Sequence, residues 1–258
     1  RMAPITTPAV LLRAHDCGDS SRILRFYTRA HGLVSVVARG VRGRSGKGVA
    51  TLATFASGDL VVYMKRNREL HNMKEFTCLK LRSELATQML AFSAASAAAE
   101  LVLSHAEADA QPRVFDTLEA GLDALCDTES PSLLPGTALS VLWTITHSFG
   151  FAPQLDNCVR CEEPLFEDEL GRFDFAAGGM RCMQCSEDSA GPRVGPIARS
   201  QLEDMISGQV PVGLSHTRRH LGLVSDFIAY HVLNKPLKSL RFLGSALPPE
   251  DEVGPEVG

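Results

Sequence analysis

The spacing of apolar residues changes near residue 82, and this change limits the folds that the chain can adopt. Before that point, Val34, Val36 and Ala38 alternate with the other side chains of their segment, which is typical of a strand with one buried face. After it, apolar residues recur at every third or fourth position, as they do along one side of a helix. The sequence therefore predicts an α+β protein in which the strands precede the helices.

Turn residues between the alternating segments favour a small antiparallel barrel. We predict its five strands at residues 8–13, 20–28, 32–39, 59–65 and 70–77. We predict helices at residues 85–103, 112–125, 130–149, 197–206 and 215–233. The first helix is expected to present one apolar face, made of Leu85, Met89, Phe92, Ser96, Ala99 and Leu103. The acidic segment 248–258, which contains Pro and Gly, is predicted to be disordered.

The net charge of −4 conceals an uneven distribution of charge. Residues 1–82 carry 15 Lys and Arg against 5 Asp and Glu, whereas residues 83–258 carry 11 against 25. A segment with a net charge of +10 joined to one of −14 suggests an anion-binding module on an acidic body, although a basic face without a ligand has the same composition. No apolar run reaches the roughly 18–20 residues of a membrane helix, and the first residues do not form a signal peptide. We expect a cytoplasmic protein that does not bind membranes.

Two Cys-x2-Cys pairs form the most specific chemical pattern: Cys158 with Cys161, and Cys182 with Cys185. Four thiolates satisfy tetrahedral zinc, and the 20-residue gap between the pairs matches that of zinc ribbons. Two disulfides are the alternative, which a cytoplasmic location disfavours. We predict one structural Zn²⁺ per chain, because four cysteine ligands leave no position for a reactive water.

The other motifs do not predict catalysis. Gly46-Lys47 resembles part of a P-loop, but Val41 and Gly48 stand where that motif needs Gly and Ser or Thr. No nucleophile-elbow or His-Glu-x-x-His motif is present. The sequence thus predicts a protein that is not an enzyme, with a zinc-dependent hydrolase as the less favoured alternative.

Basic residues in the barrel segment point to nucleic acid. Arg25 shares a strand face with Tyr27, and Tyr63 shares one with Lys65, which suits phosphate contacts beside base stacking, although some rings must fill the core. The predicted phosphate contacts are Arg22, Arg25, Arg39, Arg42, Arg44, Lys47, Lys65, Arg66 and Arg68.

The order and spacing of several segments resemble those of the bacterial RecO family of recombination mediators. The stretch AVLLRAHDCGDSSRILRFYTRAHGLVSVVARGVR contains an apolar strand, an acidic-glycine turn, Thr28 to Gly32, and Ala38-Arg39-Gly40. Glu100-Leu101, the residues 150–153 before the first cysteine pair, and LNKPLKSLRFL at residues 233–243 also fit. The resemblance covers about residues 8–244.

This resemblance implies an OB-fold barrel followed by an all-helical domain with a four-cysteine zinc-finger insertion. We place the OB-fold domain at residues 1–82, the helical domain at 83–157 and 191–247, and the zinc finger at 158–190. The family implies binding of single- and double-stranded DNA and annealing of complementary strands. It also implies loading of the recombinase, together with RecR, onto DNA coated by single-stranded DNA-binding protein.

Members of this family also contact the acidic C-terminal tail of that coating protein through the helical domain. We predict that Arg218 and Arg219 bind this tail, with a solvated helix end as their alternative role. A cytoplasmic, nucleoid-associated DNA-repair protein is the favoured function. A generic RNA- or DNA-binding factor that combines a barrel with a zinc ribbon is the alternative.

Overall fold

Five strands form a closed barrel in the computed structural model, which describes residues 3–17, 20–39, 41, 52–64, 68–106 and 108–249. The strands are β1 (Ile5–Cys17), β2 (Ser21–Thr28), β3 (Gly32–Ala38), β4 (Ser57–Tyr63) and β5 (Leu70–Lys80). Their order is β1-β2-β3-β5-β4, and β4 pairs with β1 to close the barrel. Only the β3–β5 pairing is parallel among these described strands. The predicted five-stranded barrel is confirmed, but its fully antiparallel pairing is wrong, because β3 and β5 run parallel.

Alternation along the strands fills the barrel with apolar side chains. Val34 and Val36 of β3 point inward with Leu60 and Val62 of β4, and all four are almost fully buried. Residues between them face outward, because successive side chains of a strand point to opposite faces. The register of the barrel is therefore fixed by its apolar pattern.

Six helices follow the barrel in the described part of the chain. They are α1 (Met89–His105), α2 (Pro112–Asp127), α3 (Leu134–Ser148), α4 (Pro196–Ser207), α5 (Thr217–Phe227) and α6 (Ser239–Ala246). Between α3 and α4 lies a small sheet of β6 (Gly171–Asp174), β7 (Gly179–Arg181) and β8 (Arg193–Val194). None of the described helices is long and apolar enough to span a membrane.

Four helix predictions need correction. The α1 helix begins at Met89 rather than at residue 85, and Leu85 lies in a 3₁₀ turn (Ser83–Thr87) before it. The α3 helix begins at Leu134 rather than at residue 130, because residues 131–133 form a turn before Pro135 enters the first helical turn. The α5 helix ends at Phe227, and a π-helical turn (Ile228–Leu233) continues it. The short α6 helix was absent from the prediction, although Leu240, Leu243 and Leu247 are buried at helical spacing.

The apolar face expected for the first helix is wrong at Met89 and Phe92, although Leu85 and Ala99 of the same set are buried. Met89 is 76% exposed and Phe92 is 46% exposed, whereas the alanines of the helix are buried. The helix therefore buries the side that carries its small residues, while the larger side chains of Met89 and Phe92 lie on its other side. The alanines that take this position are Ala91, Ala94, Ala95, Ala97, Ala98 and Ala99.

The chain divides into two compact units, Arg1–Gln88 with Ala98–Asp127, and Met89–Ala97 with Thr128–Gly258. The first unit therefore contains the barrel and α2. Tyr27 of β2 stacks on Phe115 of α2 with ring centroids 6.4 Å apart, and both residues are buried. Arg29, just after β2, pairs with Asp116 at 3.0 Å. The end of the barrel at the last residues of β2 is thus covered by α2.

A buried guanidinium, that of Arg82, joins the barrel to α2. Its Nε donates to Asp123 Oδ1 at 2.8 Å, and its Nη2 donates to Glu119 Oε1 at 3.3 Å. Its Nη1 donates to the Phe55 carbonyl at 2.8 Å and to the Ser57 hydroxyl. Burial opposes ionisation of Asp123, but hydrogen bonds from Lys80 and Arg82 and the charge of Arg82 outweigh it and lower the pKa.

We expect Arg82→Ala to lower the free energy of unfolding by about 3 kcal/mol, because it leaves the buried Phe55 carbonyl and Glu119 without this donor and Asp123 with Lys80 alone. Arg29→Ala is the matched control, since its pair with Asp116 is half exposed and contributes little. Urea unfolding of both variants measures the difference. Equal losses in the two variants would contradict the role given to Arg82.

Candidate metal centre and nucleic-acid interface

The β6–β7 hairpin brings the two Cys-x2-Cys turns together. The backbone N–H of Val159, inside the first turn, donates to the Met180 carbonyl of β7 at 2.8 Å. Cys182 follows β7 directly, and Cys185 lies in the short 3₁₀ turn Gln184–Ser186. The sulfur atoms of all four cysteines lie within 4.8 Å of one another. The predicted cluster of Cys158, Cys161, Cys182 and Cys185 is therefore present.

The distances fit a tetrahedral metal ion better than disulfides. Sulfurs about 2.3 Å from one zinc ion are about 3.8 Å from each other in a tetrahedron. The Sγ atoms of Cys161 and Cys182 are 3.9 Å apart, far longer than the roughly 2.05 Å of a disulfide bond. All the cysteines are free thiols, including Cys17, Cys78 and Cys126 outside the cluster. The donor set and its spacing fit zinc.

The electrostatics of the cluster favour a bound cation. Burial opposes ionisation of Cys158, but backbone N–H groups of Cys182, Cys161 and Arg160 lower its pKa to about 6. Hydrogen bonding to Cys182, together with burial, raises the pKa of Cys185 to about 12. Ionisation of one thiol therefore opposes ionisation of its neighbours, and a bound divalent cation would offset the repulsion between the thiolates. In the part of the chain that the structure describes, this is the only group of His, Cys, Asp and Glu side chains placed to hold a metal.

The cysteine insertion packs against the helices of the second unit. Phe173 of β6 is fully buried and meets the ring of Phe227 in α5 edge-on, with centroids 6.2 Å apart. The ring Nε2 of His231 lies 2.6 Å from the Phe175 carbonyl oxygen. An ion pair between Arg181 and Asp174 joins β7 to β6. The hairpin that carries the second cysteine pair is thus fixed to α5.

The structure separates two of the predicted phosphate contacts onto opposite faces of β2. Arg22 shares the face of the buried Leu24 and lies at the end of the barrel, where its Nε is 3.2 Å from Asp16 Oδ1. Arg25 lies on the outer face of the same strand and is half-buried. Exposed positions are occupied by Arg39, directly after β3, and by Arg68, two residues before β5. The other predicted contacts, Arg42, Arg44, Lys47, Lys65 and Arg66, lie outside the described residues.

The strand register pairs the predicted contact Arg25 with Arg13, which the set of predicted contacts does not include. Arg13 of β1 is exposed and lies directly opposite Arg25 in the strand register. Ser35 and Leu70 continue this row across β3 and β5. Like charges directly opposite each other in a strand pair repel, so an anion bound between them would be stabilising. The β2–β3 outer face is also the face that binds oligonucleotides in OB-folds.

Base stacking on Tyr27 is excluded by the structure. Its ring is fully buried against Phe115, and burial raises the pKa of its hydroxyl to about 12. The alternation that places Tyr27 on the outer face is correct, but α2 covers that part of the face. Tyr63 is half-buried, and its predicted neighbour Lys65 lies outside the described residues.

An apolar cavity of about 530 Å³ lies between the insertion and α5 in the second unit. Arg219 lines it, whereas Arg218 donates to the carbonyls of Gly244 and Leu247 at 2.8 and 3.3 Å at the end of α6. His220 and Gln201 form a buried pair in its wall, 3.2 Å apart. Burial, and then the charge of His216, lowers the pKa of His220 to about 4, so its ring is neutral near pH 7. The apolar walls are Phe175, Pro192, Val194, Pro196, Ile197 and Leu223.

We expect the chain to hold one zinc ion, and Cys161→Ser to lose it, because three thiolates and a hydroxyl bind zinc far more weakly. Cys126→Ser is the control, since Cys126 lies outside the cluster. Zinc content after dialysis and proteolysis within residues 158–190 measure the two effects. Full zinc occupancy in Cys161→Ser, or a water ligand on the metal by X-ray absorption, would contradict a closed site.

Comparison with known proteins identifies the family to which the chain is similar. The family model described as "Recombination protein O N terminal" matches residues 2–82, and "Recombination protein O C terminal" matches residues 86–241. The chain is 30% identical to the DNA repair protein RecO of Anaeromyxobacter dehalogenans (strain 2CP-1) over 96% of each chain. It is also 30% identical to that of Desulfatibacillum aliphaticivorans, over 94% of this chain and 97% of the relative. With the barrel, the helices and the cysteine cluster in the expected order, the chain belongs to the RecO family.

Proposed function

We propose that this protein is a recombination mediator in DNA repair. It binds single- and double-stranded DNA, anneals complementary strands and, with RecR, loads the recombinase onto DNA coated by single-stranded DNA-binding protein. Family membership supports the general role. The observation that carries the DNA-binding part is the pair of Arg13 and Arg25 on the outer barrel face, within a segment of net charge +10.

The barrel binds the phosphate backbone without reading bases. Guanidinium groups on one strand face neutralise phosphates and release counterions, which gives salt-sensitive binding of any sequence. Arg39 and Arg68 extend the basic face on either side, and the predicted loop contacts Arg42, Arg44, Lys47, Lys65 and Arg66 belong to the same segment. Annealing follows, because two polyanions held on a basic surface repel each other less while their base edges stay free.

The cavity beside α5 is proposed to bind the acidic tail of single-stranded DNA-binding protein. Its walls are apolar and its rim carries Arg193 and Arg219, with Asp226 as the opposing charge. An acidic peptide with an apolar end places its apolar side chain in the cavity and its carboxylates on the arginines. Arg219 is the direct contact, and Arg218 supports it by holding α6 against α5.

The metal site fits a structural role, and we propose that the protein is not an enzyme. Four protein sulfur ligands leave no coordination position for a substrate or a water. The zinc would hold the β6–β7 hairpin and, through it, one wall of the cavity. We further propose a cytoplasmic, nucleoid-associated location. The domain boundaries predicted at residues 82, 157 and 190 also stay proposals.

For DNA binding, we expect Arg13→Ala/Arg25→Ala to flatten the salt dependence of affinity for single-stranded DNA. Loss of two phosphate contacts reduces the slope of log K against log salt by about 1.4. The control is Arg29→Ala/Arg113→Ala, which removes the same charge from the end that α2 covers and from α2 itself. Fluorescence anisotropy at several salt concentrations measures the slopes. An unchanged slope in the first variant, or the same change in both, would rule out this face.

For the peptide site, we expect Arg219→Ala to weaken binding of an acidic, apolar-ended peptide about tenfold, because it removes a charge-assisted contact. Arg218→Ala should retain most of the affinity and instead lower the melting temperature, since it frees the end of α6. Peptide anisotropy and thermal melts of both variants separate the roles. Peptide binding that survives in the Arg218→Ala/Arg219→Ala variant would place the tail elsewhere.

A further inference from the structure

The α6 helix presents two cations and an aromatic ring on one face. Lys238, Arg241 and Phe242 lie three and four residues apart, so they share a side of the helix. All three are exposed, whereas Leu240 and Leu243 bury the opposite side. Lys235 is exposed three residues before Lys238. We call Lys235, Lys238, Arg241 and Phe242 the α6 face.

Phe242 is unusually exposed for a residue of a short packed helix. Its side chain is 70% exposed, although burial of a phenylalanine stabilises a fold by roughly 1.5–3 kcal/mol. An exposed ring between cations is the arrangement with which proteins bind single-stranded nucleic acid, since a base stacks on the ring while phosphates meet the charges.

The local charge also favours an anionic ligand. Residues 227–249 contain three Lys and Arg and no Asp or Glu, although residues 83–258 as a whole have a net charge of −14. The guanidinium of Arg218 adds a further charge at the end of α6, on the carbonyls of Gly244 and Leu247. The next carboxylates in the sequence begin at Glu250, beyond the described residues.

We propose that the α6 face is a second binding site for single-stranded nucleic acid, in which Phe242 stacks on a base and Lys235, Lys238 and Arg241 contact phosphates. This inference rests on the proposed function, because annealing requires two strands on one protein. The barrel face offers mainly charge, whereas the α6 face offers charge with a stacking ring. A duplex hides the faces of its bases, so the ring distinguishes single strands from duplexes.

The test uses the full chain with Phe242→Ala and, in a second variant, Lys238→Gln/Arg241→Gln. Phe166→Ala is the matched control for the first, because Phe166 is 75% exposed on the insertion. Arg29→Gln/Arg113→Gln is the charge control for the second, since both arginines are exposed and lie outside the α6 face and the metal site. Affinity for a fluorescent poly-dT oligonucleotide, affinity for a duplex, affinity for an acidic peptide, and the annealing rate of complementary strands are measured for each.

We expect Phe242→Ala to weaken poly-dT binding about tenfold and to slow annealing, with duplex affinity unchanged. Lys238→Gln/Arg241→Gln should reduce the salt slope for poly-dT by about 1.4, and the controls should match the original chain. Three results overturn the inference: equal behaviour of Phe242→Ala and Phe166→Ala, equal losses for duplex and single strand, or loss of acidic-peptide binding alone. The third result would indicate that the α6 face contacts a protein rather than DNA. If the unsubstituted chain binds no DNA at all, that result contradicts the proposed function itself, independently of the α6 variants.

Discussion

The buried guanidinium of Arg82 decides which part of the barrel remains open to a ligand. It satisfies a barrel carbonyl and two carboxylates of α2 at once, so α2 cannot leave the barrel without stranding buried polar groups. Once α2 is fixed, Phe115 covers Tyr27 and Asp116 pairs with Arg29. Arg25 of β2 and Arg13 of β1 are left on the outer face. One contact therefore separates the end of the barrel that α2 covers from the outer face that we propose binds DNA.

The basic residues of the barrel segment divide in the same way, into those that pair with α2 and those that lie on the outer face. Basic residues of the first 82 positions have two roles: some, such as Arg29 and Arg82, form ion pairs with α2, and others, such as Arg13 and Arg25, line the outer face. The carboxylates of α2 that belong to the acidic part of the sequence thus neutralise barrel arginines locally. The net charge of +10 overstates the charge available to DNA, since part of it is already paired within the unit.

Patterns with a short period were predictable, and long-range packing was not. The inward alternation of Val34 and Val36 specified β3, and the spacing of Cys158 and Cys161 specified a metal turn. Arg22 and Arg25 differ by three positions, so the same alternation already places them on opposite faces of β2. By contrast, the burial of Tyr27 depends on α2, which lies some 90 residues later in the chain. The exposed start of α1 likewise depends on which side its neighbours cover.

The cysteine cluster connects metal binding to a surface that contains no metal ligand. Phe175, Arg193 and Val194 line the cavity from the β6–β8 side, and His220 and Arg219 of α5 line it from the other. The first wall is held by the β6–β7 hairpin, which brings the two cysteine turns together, and by Phe173 against Phe227. A metal that stabilises the hairpin therefore also stabilises this wall of the cavity. A ligand that contacts both walls binds the same folded state as the metal, so the two binding equilibria are coupled. If the cavity binds the peptide that we propose, zinc affinity and peptide affinity are linked, although none of the four cysteines lines the cavity.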